Sequence, residues 1–262
     1  MRLESKIEFF RLFDEYFCEF LDEEEGDEKY TSLINYLFNE EEKYNSKEDF
    51  VVLFNIIANI CNNHHRNQMF FQRINNFFSF FKDKIVEMDF TDLEIYNCFS
   101  ANKQILLILL SLKIFKNPKR YIINNIYEKY RHFFYQEISQ FDKNKGFAIR
   151  SSIKNINTAL NQDNFTNYDE KRQQGENPSP ICEIIRNDNV NDFDQFVNHN
   201  QISLEAKIQK SIFESNSLLM ESDQTLIQYV AFHGSVNIFK YLVQNKVKLD
   251  ENLLIYAVHS KS

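Results

Sequence analysis

Apolar residues recur along this chain at the three- and four-residue spacing of amphipathic helices. The clearest of these stretches has apolar positions at Phe70, Phe71, Ile74, Phe77, Phe78, Phe81 and Ile85. The segment Ile105–Phe115 is apolar on nearly every side, which predicts a central buried helix. Nowhere does a strict alternation of apolar and polar residues combine with turn signals, as a strand would require. The pattern therefore predicts an all-α fold.

The apolar spacing thins after residue 140, and this change divides the chain. Residues 1–140 predict a helical bundle or solenoid. Residues 141–178 are mostly polar and end in Gly-Glu-Asn-Pro, which indicates a linker. Residues 179–262 predict a second helical region, which opens with Ser179 as a cap and Pro180 at the first helical position.

A helix pair can be read directly from the residues that follow Thr225. Thr225 and Gln228 have the spacing of a capping box, in which each side chain binds the backbone N–H of the other residue. Gly234 supplies the left-handed conformation that ends many helices. A second amphipathic helix then fits Val236–Gln244.

Two partial copies of this pair occur in the same region. The segment 188–197 aligns without gaps on 234–243, and the segment 253–260 repeats 227–234 at a shortened period. An internal repeat of helix pairs is the prediction, since stacked units of this kind bury a shared core. Three unrelated amphipathic helix pairs are the alternative.

These residues resemble an ankyrin repeat. The matching positions are Thr225, Ile227, Ala231, Gly234, Ile238, Phe239, Leu242 and Val243. The chain departs from the family pattern at four places, where it has Leu226, Gln228, Ser235 and Lys246 instead of proline, two histidines and a loop glycine. The resemblance implies a short, divergent ankyrin-repeat array at residues 179–262, with the last repeat incomplete.

The first half of the chain carries a second resemblance. Residues 63–66 and 102–107 look like landmarks of a helical domain of unknown function. That domain precedes divergent ankyrin repeats in large, lineage-expanded protist families. Together the two resemblances imply a non-enzymatic protein–protein interaction scaffold with no cofactor.

Ankyrin proteins bind partners on a concave surface lined by first-helix positions, and the resemblance implies the same surface here. The expected partner-binding residues are Tyr229, Phe232, His233, Ile255, Val258 and His259. Alternatively, Phe232 and Val258 pack against a neighbouring helix. The last repeat lacks its second helix at Ser262, so we expect either a truncated member of a longer family or self-association through an uncapped end.

Composition narrows the setting of the protein. The net charge of −8 suits a soluble protein and disfavours general affinity for nucleic acid. The four cysteines lie far apart, which is typical of reduced thiols inside the cell. The longest apolar run is too short to span a membrane. We expect a cytoplasmic or nuclear protein.

The sequence offers no pattern of residues that predicts catalysis or metal binding. Adjacent side chains such as His64 and His65 point about 100° apart on a helix, and no further ligand follows at metal-site spacing. We found no phosphate-binding glycine loop, nucleophile elbow or zinc-protease motif. The expectation is that the protein is not an enzyme and holds no metal.

Charge is distributed unevenly along the chain. Residues 14–49 contain 14 acidic and 3 basic residues, whereas residues 103–154 contain 11 basic and 3 acidic ones. The basic segment is interspersed with tyrosines, so binding of RNA or of an acidic partner is the alternative function. The simpler interpretation is that the two segments face one another or are solvated.

Overall fold

The computed structural model describes residues 3–23, 26–64, 66, 69–115, 118–160, 167–221, 223–249 and 251–260, with no side chains described for 153–160. Within these ranges the regular structure is helical, apart from an isolated bridge between Lys207 and Thr225. This confirms the prediction of an all-α chain.

Two compact units divide the chain. The first comprises Met1–Asn62 and Arg66–Gln174, and the second comprises Asn63–His65 and Gly175–Ser262. The helices of the first unit are α1 (Leu3–Asp22), α2 (Glu28–Asn39), α3 (Lys47–Asn63), α4 (Phe70–Glu87), α5 (Asp92–Phe99), α6 (Lys103–Ser111), α7 (Arg120–Tyr130), α8 (Tyr135–Phe141), α9 (Lys143–Leu160) and α10 (Tyr168–Gln174). Those of the second unit are α11 (Pro180–Arg186), α12 (Val190–His199), α13 (Ser217–Glu221), α14 (Leu226–His233), α15 (Val236–Gln244) and α16 (Leu253–Ala257).

Aromatic rings form the core of the first unit. The ring of Phe77 in α4 lies 5.0 Å from Phe17 of α1 in a T-shaped arrangement and stacks on Phe81 at 4.8 Å. Phe54 of α3 lies 5.3 Å from Phe99 of α5. Edge-to-face and offset ring pairs of this kind add to the free energy gained from burial alone. The regular Phe spacing in the sequence therefore marks the core-facing sides of these helices.

Helix α6 is buried on most of its surface, as its apolar sequence predicts. Even its first polar side chains lie inside. The ammonium group of Lys103 sits 4.6 Å from the ring centroid of Phe133, and Gln104 donates hydrogen bonds to the carbonyl oxygens of Arg172 and Gln173 at 2.6 and 3.0 Å. These bonds tie α10 to the centre of the first unit.

The segment expected to be a linker differs from that expectation. Helices α9 and α10 occupy much of it, and both belong to the first unit. Polar groups hold α10 in place. Tyr168 donates to the carbonyl oxygens of His132 and Phe133, each at 2.7 Å, and Arg172 forms a two-bond ion pair with Glu137. Because these contacts are polar, they cannot be predicted from the spacing of apolar residues.

Candidate interaction surface

In two helix pairs of the second unit, α11–α12 and α14–α15, all four helices end in the same local geometry. The first helix of each pair is followed by a left-handed residue, Asp188 at φ 48° and Gly234 at φ 66°. The second helix of each pair is likewise followed by Gln201 at φ 52° and Lys246 at φ 61°. After each of the four, the next N–H returns to a carbonyl five residues earlier, as in a Schellman motif. The helix pairs α11–α12 and α14–α15 therefore share the geometry of both of their helix ends.

The two pairs stack on one another, with α11 packed on α14 and α12 on α15. Asp188 links them directly, because its carboxylate accepts the backbone N–H groups of Asn237 and Ile238, each at 3.0 Å. Ser235 donates to the carbonyl oxygen of Ile185 at 2.6 Å, and Tyr241 donates to Asp194 at 2.6 Å. The stacking is therefore held by polar contacts at its edges.

Burial corrects the repeat alignment by one residue. The alignment without gaps places Phe193 opposite Phe239. In the structure, the buried residues of α12 are Phe193 and Val197, and those of α15 are Ile238 and Leu242. Both pairs are four residues apart, so Phe193 corresponds to Ile238. The left-handed residues that end the first helices, Asp188 and Gly234, are 46 residues apart. Those that end the second helices, Gln201 and Lys246, are 45 residues apart. One residue fewer in the second helix of the later pair accounts for the shift.

Helix α14 lies at the centre of the second unit. Each of its residues from Leu226 to Phe232 is buried, and it packs against α11, α15 and α16. Apart from Tyr229, Gln228 is the one polar residue between Leu226 and Phe232. Its side chain completes the predicted capping box with Thr225. A helix that is apolar all round is stable only when covered on all sides.

The structure does not support Tyr229 and Phe232 as partner-binding residues. Tyr229 is 1% exposed, and its hydroxyl accepts a hydrogen bond from Arg186 at 3.1 Å. Burial raises its pKa well above the usual value, so the group stays neutral. Phe232 is 4% exposed and stacks on the ring of His259 at 5.2 Å. Both are core residues because α14 has no free face.

The two predicted histidines are half-buried packing groups. The ring of His233 lies 4.5 Å from Tyr229 and 5.0 Å from Phe232. His259 stacks on Phe232, and its Nδ1 lies 3.0 Å from the carbonyl oxygen of Asn63, a residue of the same unit. Each ring therefore lies at the edge of the core and shows only part of its surface to solvent.

The exposed apolar residues of the site lie on α16 and on Val258, the residue directly after it. Tyr256 is buried, while Leu254, Ile255 and Val258 are 76%, 52% and 76% exposed. Leu254 and Val258 are four residues apart and share one side of the helix, and Ile255 lies next to them. We call these three residues the α16 face. Leu254 is not among the predicted partner-binding residues, although its spacing to Val258 is the signal that identifies it.

The register of this last helix also differs from the expectation. The N-cap residues Thr225 and Asn252 each precede a buried tyrosine by four residues, so Tyr256 is the counterpart of Tyr229. The sequence alignment places Ile255 opposite Tyr229. A one-residue shift rotates a helical position by about 100°, which explains why Ile255 is exposed where Tyr229 is buried.

Comparison of the chain with protein-family models, with curated proteins and with solved structures found no match in any of the three. In the described ranges, no helix has the length and apolar content needed to cross a membrane. Among the same residues, no three His, Cys, Asp or Glu side chains are grouped so that they could hold a metal ion. Of the His64–His65 pair, His65 lies outside the described residues.

Proposed function

We propose that this protein is a non-enzymatic protein–protein interaction module. In this proposal its second unit is a short, divergent ankyrin-like array, and the N-terminal helical unit is the domain that accompanies it. The observation that carries the proposal is the α16 face, three aliphatic side chains exposed side by side on a helix whose other side is packed. Adjacent exposed apolar side chains of this kind favour contact with another protein.

The proposed occupant is an amphipathic helix of a partner protein. First helices already stack in this unit, α11 on α14 and α14 on α16, so a further helix laid on the α16 face continues the same packing. Leu254 and Val258 at i and i+4 are the anchors that a helix-to-helix contact uses. This placement differs from the concave surface expected from the sequence, because α14 is covered.

A pair of matched double variants tests the proposal. Leu254→Gln/Val258→Gln makes the α16 face polar, and Val236→Gln/Val243→Gln does the same to two exposed valines of α15, which are 46% and 42% exposed. Burial of an aliphatic side chain contributes about 1.5–3 kcal/mol, so loss of two such contacts weakens binding by at least about tenfold. Circular dichroism checks that both variants fold.

The measurement is capture from native lysate combined with a photo-crosslinking amino acid at position 258 and, as a control, at the exposed position Gln195 of α12. We expect a protein cross-linked from position 258 but not from 195, and lost only in the α16 variant. Equal capture by wild type and both variants contradicts the proposal.

Self-association is the other use of this face that the measurement can reveal. Light scattering at high concentration would then show a dimer that the Leu254→Gln/Val258→Gln variant abolishes. A monomer at every concentration removes self-association and leaves the partner helix as the occupant.

A further inference from the structure

Helix α7 carries basic and aromatic side chains on one face. Arg120, Asn124, Tyr127 and Arg131, the last directly after the helix, follow one another at spacings of four, three and four residues. These spacings place them in a single row. Arg120 and Arg131 are exposed, and Asn124 and Tyr127 are half-buried.

Helix α9 adds a cation to this row. The ammonium group of Lys145 lies 4.5 Å from the ring centroid of Tyr127 and donates a hydrogen bond to Asn124 at 2.6 Å. A cation held over a ring in this way is fixed in position without being neutralised. The row on α7 and the start of α9 therefore form one surface.

The outer side of α9 continues the same chemistry. Lys143, Phe147 and Arg150 lie at spacings of four and three residues, and all three are exposed. Phe147 is 75% exposed, an unusual position for a phenylalanine in a chain whose other rings mostly form a core. The opposite side of α9 packs through Gly146 and Ile149.

The segment 103–154 has three acidic side chains, one of which, Glu128, is exposed on α7, and the five cations of this surface outnumber them. Glu137 is committed to Arg172, at 2.6 Å, and the Asp142 carboxylate accepts the backbone N–H groups of Asn144 and Lys145. The ion pairs of the acidic segment 14–49 that the structure describes are made with Lys6, Arg11, Lys29, Lys43 and Lys84.

Not every part of the basic segment 103–154 contributes. Lys103 is 3% exposed and Tyr130 is 7% exposed, with its hydroxyl bonded to the carbonyl oxygen of Ser100. The accessible positive charge is concentrated on α7 and α9. We name Arg120, Tyr127, Arg131, Lys143, Lys145, Phe147 and Arg150 the α7–α9 surface.

We propose that the α7–α9 surface binds single-stranded nucleic acid, a function separate from that proposed for α16. The arginines and lysines would contact successive phosphates, and Phe147 would stack on a base. Exposed rings among cations favour a single strand, because only unpaired bases offer a free face for stacking. Since α9 is about 10 Å across, one strand can reach both its outer side and the α7 row.

The test measures fluorescence anisotropy of a labelled oligouridine of about twenty nucleotides, titrated with the full chain at several salt concentrations, and of a duplex of equal length. Three variants are compared with wild type. Phe147→Ala removes the stacking ring, and Arg120→Ala/Arg131→Ala removes two cations from α7. Lys240→Ala/Lys248→Ala removes two exposed cations from the second unit and is the control of equal charge.

We expect Phe147→Ala to weaken binding about 5- to 140-fold with little change in salt dependence, which is the usual range for loss of one stacked base. The arginine double variant should reduce the slope of log affinity against log salt by about 1.4, the value for two phosphate contacts to a single strand. The lysine control should bind like wild type.

Three results would overturn the proposal. One is the absence of binding to the oligouridine. Another is an equal loss in the lysine control, which would show a general charge effect. The third is that Phe147→Ala has no effect and that the chain either binds the duplex with equal affinity or releases the oligouridine to polyglutamate of matched charge. That result would mean an acidic surface of any kind is bound.

Discussion

Asp188 offers the sharpest test of how the second unit is built. Its carboxylate accepts hydrogen bonds from the N–H groups of Asn237 and Ile238 at 3.0 Å and from the Asn237 side chain at 2.9 Å. These N–H groups belong to the first turn of α15, which no residue of its own caps with a side chain. Asp188 therefore caps a helix of the next helix pair, while its own backbone lies in the left-handed region at φ 48°.

The structure separates two contributions to the free energy of unfolding. Loss of a side-chain cap costs about 0.5–2 kcal/mol. An alanine in the left-handed region costs about a further 1 kcal/mol, since aspartate and glycine enter that region more readily. Asp188→Ala should therefore destabilise the second unit by about 1.5–3 kcal/mol. Asp188→Gly loses the same cap but keeps the backbone conformation, so its cost should be about 1 kcal/mol smaller than that of Asp188→Ala.

Native-state hydrogen exchange of peptides covering 226–249 reports the stability of this unit independently of the first. Gln201→Ala is the matched control, because Gln201 has the same backbone conformation and an exposed side chain. It should change stability by less than about 0.5 kcal/mol. Equal losses for Asp188→Ala and Asp188→Gly would refute the backbone contribution. No loss for either would refute the cap.

Two further predictions concern the first unit. Gly146→Ala should lower the free energy of unfolding of the first unit by about 1–3 kcal/mol, because the new Cβ would lie 2.9 Å from the Cα of Ser139. Thermal unfolding measures this loss, and a gain in stability would contradict the packing. Burial acts to raise the pKa of Asp49, but hydrogen bonds from Lys6 and Ser46 outweigh it and hold the pKa below its usual value. The resulting stability is complete above the unfolded pKa of about 4 and is lost as pH falls below it, so Asp49→Asn should flatten stability against pH in that acid range.

The sequence by itself determined the features that depend on neighbouring residues. Helical spacing identified the all-α chain and the core-facing phenylalanines, because the buried residues of an amphipathic helix recur at every third or fourth position. The predicted capping box of Thr225 with Gln228 is present in the structure. A cap joins residues three apart, so its partners are visible in the sequence.

Only the tertiary structure decided which surfaces remain free. Helix α14 is apolar all round, and its sequence could not show that α11, α15 and α16 cover it completely. A one-residue shift in α16 makes Tyr256, and not Ile255, the counterpart of the buried Tyr229. Helix α10 joined the first unit through Arg172 and Glu137, 35 residues apart. In each case the partner is distant along the chain, and local spacing records how a helix can pack but not what it packs against.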